Sequence, residues 1–196
     1  MWFLMSGKDS SWDSTVQTGT VEAYYAYVQK NSGIQDEEVQ NHITEACWNM
    51  LELSSGNMDN LKLLSEVGTG EIADKAYSQL VNLACDSLAA VSARLANMVG
   101  NFDEVISQMN SYYEITDAAL SDNRGTLNER EKKHIRQVQS DAVSTVDVQL
   151  SSQLRAHKIA EDDLLLEAKA NIKALVAYKG LPVATVEDAN NQLSQK

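Results

Sequence analysis

Proline is almost missing from this chain: Pro182 is the single one in 196 residues, and glycine occurs nine times. All-β chains need many tight turns built from these residues, so their scarcity points to helices. Cysteine is as scarce, with Cys47 and Cys85 far apart in sequence. Two distant cysteines make no disulfide framework, so both read as small buried hydrophobes, and a reducing compartment is the expectation. No window approaches the roughly 18 apolar residues of a membrane-spanning helix. The start, Met1-Trp2-Phe3-Leu4-Met5, is apolar, but it is too short for a signal core and has no basic residues before it. The expected location is therefore cytoplasmic, or exported without a cleaved signal. No Asn-x-Ser/Thr acceptor occurs.

Basic residues are also in short supply. Sixteen Lys and Arg face 28 Asp and Glu, a formal net charge of −12. Phosphate backbones and anionic lipid surfaces both require clustered cations, so nucleic acid and stable membrane association are excluded as expectations. Other proteins, or further copies of the chain, are left as the expected partners. The hydrophobic fraction of 43% and charged fraction of 22% are those of a globular domain.

What is present is helical periodicity. Residues 1–19 read as a weakly structured lead-in rich in Ser, Thr and Gly. A small helical part is expected over 20–68. Thr20 caps a helix carrying Tyr24, Tyr25 and Tyr27, and a second helix over 35–53 buries Val39, Ile43, Ala46, Cys47, Met50 and Leu51 on one face. This helix pair is about as long as a tetratricopeptide unit. It stands alone, whereas a solenoid needs about three stacked units, so no repeat family follows. A short helix over 58–66 precedes the break at Gly68-Thr69-Gly70, where Thr69 is placed to cap the next helix.

A long-helix bundle is expected over 69–180. Tyr77, Val81, Ala84, Leu88, Val91, Leu95 and Met98 follow alternating steps of four and three, a heptad-type seam. Phe102, Ile106, Met109, Tyr113, Thr116 and Leu120 repeat it after Gly100-Asn101. Two such helices joined by a two-residue loop predict a central antiparallel αα-hairpin over 71–120. Residues 126–178 then lack both Gly and Pro. If continuous, they form one helix of about 78 Å at about 1.5 Å per residue. Two drifting stripes (Ile135, Val138, Ala142, Val146, Leu150, Leu154; then Leu164, Ala168, Ile172, Leu175) and β-branched residues over 142–148 predict a kink or a short splitting loop. Residues 181–196 hold a short tail helix with Thr185 as its cap. The expected fold is thus all-α: an antiparallel helical bundle with a central αα-hairpin, one long third helix and a small helical N-terminal part.

Chemistry-bearing patterns are weak. Glu131 and His134 have the Glu-x-x-His spacing of di-iron bundles, which use two such motifs. Here there is one, inside a mixed-charge run that reads as a solvated first turn. His42 sits between Glu38 and Glu45 as on an ordinary surface, and His157 completes the histidines. With no His pair at helical spacing and no Cys-x-x-Cys, a structural zinc is not expected. Gly68-Thr69-Gly70 leading to Lys75 lacks the Gly-Lys-Ser/Thr ending of a phosphate loop and reads as a turn. Glu161, Asp162, Asp163 and Glu167 lack the ligand alternation of a calcium loop and face water or a basic partner. Trp48 is expected in the core, and Trp2 and Trp12 either pack on the bundle or mark a contact surface.

No residue is therefore assigned a catalytic, cofactor-binding or metal role. The leading expectation is a non-enzymatic interaction or assembly protein, an adaptor or subunit that binds through helices to a partner or to itself. A secreted virulence or translocator-type helical protein is the alternative, and a ligand- or metal-binding bundle comes third.

Overall fold

The computed structural model describes residues 10–195. Trp2 and the rest of the apolar start lie outside the described residues. Every regular element among those described is an α-helix, and packing between neighbouring helices makes a helical bundle. The chain divides into two compact units, Met1–Leu80 and Val81–Lys196.

The first unit holds α1 (Ser10–Thr18), α2 (Val21–Asn31), α3 (Glu37–Leu53), α4 (Met58–Val67) and the start of α5 (Glu71–Ala96). The helix α1 corrects the expected lead-in for residues 10–18. Ser and Thr are poor helix formers, and nine residues are too few for a helix stable alone. Tertiary burial of Trp12 decides the matter, because its ring packs 5.0 Å from Tyr27 and 6.1 Å from Tyr24 on α2. Each following helix has its own start signal. The Thr20 side chain accepts the Ala23 N–H, Asp36 accepts those of Glu38 and Val39, and Asn57 accepts that of Asn60. α2 buries Val21, Tyr24, Tyr27 and Val28, and α3 against it buries Ile43, Ala46, Cys47, Met50 and Leu51.

The boundary between units falls inside α5. In the second unit, α5 is followed by α6 (Asp103–Ser121), α7 (Glu129–Ile159), α8 (Asp162–Val176) and α9 (Val183–Ser194). The α5 seam is wider than its heptads. Val81, Ala84, Leu88 and Leu95 are buried, Tyr77 and Val91 only half so, and Cys85 and Ser92 join the buried face. The two-residue loop after α5 is corrected to six residues, 97–102. The helix stops at Ala96, and Asn101 takes the left-handed conformation with φ 57°. Arg94 Nη2 donates to Gln108 Oε1 at 2.8 Å and ties the two arms next to the turn.

The stretch 126–178 is split by a short loop, but not at the place expected. α7 has 31 residues, about 46 Å, and begins with a capping box between Asn128 and Glu131. It runs straight through the β-branched stretch, because Val146 is fully buried there and that burial outweighs a propensity cost of a few tenths of a kcal/mol per residue. The break comes later, at Ala160 and Glu161, where Asp162 adopts φ 50°. Aspartate tolerates this conformation better than most residues. Turning there lets α8 fold back antiparallel on α7 and bury Ala168, Ile172 and Leu175.

α8 is pinned at its far end by α6. Asn110 donates to the Ala177 carbonyl at 3.0 Å and accepts the Lys179 N–H at 2.8 Å. Tyr113 meets the buried Tyr178 edge-on at 5.7 Å, and Lys179 pairs with Glu114. Pro182, not Thr185, stands at the N-cap of α9, and Thr185 lies within the helix.

Candidate functional site

Of the residues singled out by sequence pattern, Trp12 meets His42 and Lys75 meets Trp48, and the rest do not converge. Glu131 is committed to the capping box: its Oε2 accepts the Asn128 N–H at 2.7 Å, while His134 is exposed one turn on. Among the described residues no group of three or more His, Cys, Asp and Glu could hold a metal ion. Gly68-Thr69-Gly70 is a helix ending followed by a helix start. The Gly68 N–H donates to the Leu64 carbonyl at 2.8 Å, and a Cβ on Gly68 would stand 2.6 Å from that oxygen. Lys75 points at no cradle. It pairs with Glu71 at 2.6 Å and lies 4.6 Å over the Trp48 ring.

The tryptophan expectations are resolved in opposite senses. Trp48 is 37% exposed, so its core placement is corrected: the buried face of α3 runs through Cys47 and Met50, and Trp48 stands beside it under Lys75. Trp12 is buried at 8% exposure and stacks on His42, 4.7 Å away and 10° from parallel. His42 thus belongs to an aromatic cluster, with the Tyr27 hydroxyl 3.3 Å from its Nδ1. His157 is buried at the end of α7. Cys47 and Cys85 are free, buried thiols. Burial pushes both thiols up, Cys85 to about 11 with help from the nearby Asp86 charge, which makes them inert rather than nucleophilic.

A different place in the second unit does gather side chains. Next to the α7–α8 corner lies an open groove of about 370 Å³. It is lined by Ala156, Ala160 and Ala168, by the larger Val99, Ile159 and Leu164, and by the polar Gln153, Glu167 and Asn171. Val99 is 86% exposed, Ile159 84% and Leu164 67%. Glu167 is the charged residue of the lining, and Glu161, Asp162 and Asp163 are exposed at the head of α8.

The Val99 segment is held by side-chain amides. Gln149, buried on α7, donates through Nε2 to the carbonyls of Leu95, Ala96 and Met98 at 3.0, 3.3 and 3.2 Å. It thereby caps the C-terminus of α5, whose last carbonyls have no intrahelical donor. Gln153 donates to the Val99 carbonyl at 3.3 Å and accepts from Asn171 at 3.1 Å. A Cβ on Gly100 would lie 3.4 Å from Asn171 Nδ2 and 3.5 Å from Glu167 Oε1, so the turn passes directly over α8.

Sequence reasoning missed these amides. Their one signal was glutamine and asparagine next to the apolar stripes, Gln149 beside Leu150 and Asn171 beside Ile172.

The arrangement contains no nucleophile with a base, no oxyanion donors and no cation cradle. It presents apolar surface together with the Gln153 and Asn171 amides and the Glu167 carboxylate. No helix among the described residues is long and apolar enough to cross a membrane. No protein-family model, curated protein or solved structure matches the chain.

Proposed function

We propose that this chain is a non-enzymatic helical interaction or assembly protein that works by binding another protein. The observation that carries the reading is the cluster of large apolar side chains left in water at one place: Val99, Ile159 and Leu164. Single exposed apolar residues are ordinary, but a contiguous patch with a polar rim is the usual mark of a contact surface. The surrounding backbone is organised to hold that patch, since three amide side chains fix the turn that carries Val99. The net charge of −12 directs the choice away from polyanionic partners and toward proteins.

Cross-linking of the full chain in its native source, with mass spectrometry of the products, tests the reading alongside light scattering of the purified protein. A cross-linked partner or a stable oligomer is the expected result. A monodisperse single chain without any cross-linked product removes it.

A further inference from the structure

We infer that the groove at the α7–α8 corner takes a basic amphipathic helix from another protein. This inference deepens the reading above and rests on it. The groove has the composition that helix recognition uses: small alanines interspersed with large branched side chains, between which anchors at helical spacing insert. Its volume of about 370 Å³ is at the small end for ligand pockets, and two of its three polar lining residues, Gln153 and Asn171, are already engaged with each other and with the Val99 carbonyl. The charge of the occupant follows from the lining. Glu167 is its charged residue, and over the stretch that contributes to it, Gln153 to Asn171, the four carboxylates of Glu161, Asp162, Asp163 and Glu167 stand against Arg155, Lys158 and Lys169. Cations flanking the apolar face of the incoming helix complement these carboxylates.

A second copy of the chain fits poorly. A two-fold dimer through this groove would bring the carboxylates of Glu161, Asp162, Asp163 and Glu167 from both copies into one interface, because such an interface is made of the same patch on each subunit. Each copy also brings a further charge of −12.

The test uses the full chain and a labelled leucine–lysine peptide of about 16 residues, with leucines at helical spacing, read by fluorescence anisotropy. Two controls accompany it: a scrambled peptide of equal charge, and a leucine–glutamate peptide with the same apolar pattern. The patterned leucine–lysine peptide is expected to bind at least about tenfold more tightly than either control, with an affinity that falls as salt rises. The double variant Ile159→Ser, Leu164→Ser should lose about tenfold or more, and Glu167→Lys should lose a few-fold at low salt. All three positions are exposed, and unchanged circular dichroism checks that the variants fold. Equal binding of the scrambled peptide, or indifference to the double variant, overturns the inference. So does an oligomer that the double variant dissolves, which would make a second copy the occupant. A native partner whose cross-link survives the double variant sinks the groove and leaves the broader reading standing.

Discussion

Gln149 shows how much one side chain can hold. Its buried amide serves three carbonyls at the end of α5. Gln149→Ala removes the side-chain donor from all three and leaves the Leu95 carbonyl only the Met98 N–H. Urea unfolding should register a loss of about 1–3 kcal/mol, whereas Gln153→Ala, at a wetter position, should cost about 0.5 kcal/mol. Asp147 is the opposite case. Its Oδ1 is buried without a hydrogen-bond partner, and burial raises its carboxyl above the usual carboxylate range. A raised folded value means that the native state binds the proton more tightly. Its contribution is therefore fully present below the ordinary carboxylate value of about 3.9 and is lost as pH rises through the folded one. Asp147→Asn should accordingly raise the melting midpoint at pH 7, and the gain should vanish toward pH 3. A midpoint lowered at pH 7 would show that the carboxylate has a compensating role. Gly68 is a third single-residue test. Alanine there drives a Cβ to 2.6 Å from the Leu64 carbonyl, so Gly68→Ala should cost about 1–3 kcal/mol.

At the level of elements, the corner between α7 and α8 is the least expected feature. Asp162 sits at φ 50°, a conformation that costs most residues about 1–2 kcal/mol. Asp162→Val should destabilise by about that amount in chemical denaturation. Asp162→Gly should be near neutral, because relief of the left-handed conformation is offset by losing a carboxylate at a helix start, worth about 0.3–1 kcal/mol. This corner also marks where sequence reading runs out. The start at Thr20 was legible, because it announces a cap locally, while Thr185 offered a cap where Pro182 holds the position; buried faces were legible too, because Ile43, Cys47 and Met50 keep helical spacing. Ends without Gly or Pro were not, because the stop at Ala160 comes from α8 packing back on α7, a contact with no local signature. The same holds for α1, which depends on where Trp12 finds its aromatic partners, and for Trp48, which lies one residue from the buried face. The groove was invisible for a related reason. Val99 follows directly on the heptad stripe that ends at Met98, and it stands outside because the helix stops three residues before it.

For the whole molecule, charge is the dominant global property. The surface ion pairs, such as Lys75–Glu71 and Lys132–Glu129, are exposed and worth little, so they offset little of the repulsion implied by a net −12. Raising ionic strength from about 0.01 to 0.3 M shortens the screening length several-fold. The expected result is a melting midpoint higher by roughly 2–4 °C, the shift for about 1 kcal/mol in a chain of this size. A midpoint that falls with salt would mean that attractive pairs prevail. The Gln149 cap has a consequence in time as well as in space. The donor that closes α5 is added to the growing chain 54 residues after Leu95. A nascent chain lacking α7 therefore has α5 and α6, with the Arg94–Gln108 tie, but not the amide that holds the segment between them. Closing that loop requires a distant contact, which is slow to form. In pulse-labelled refolding, amides around Met98 should gain protection together with α7, after the bodies of α5 and α6. The turn thus joins α5 and α6 along the chain, but it is α7 that sets when it becomes ordered.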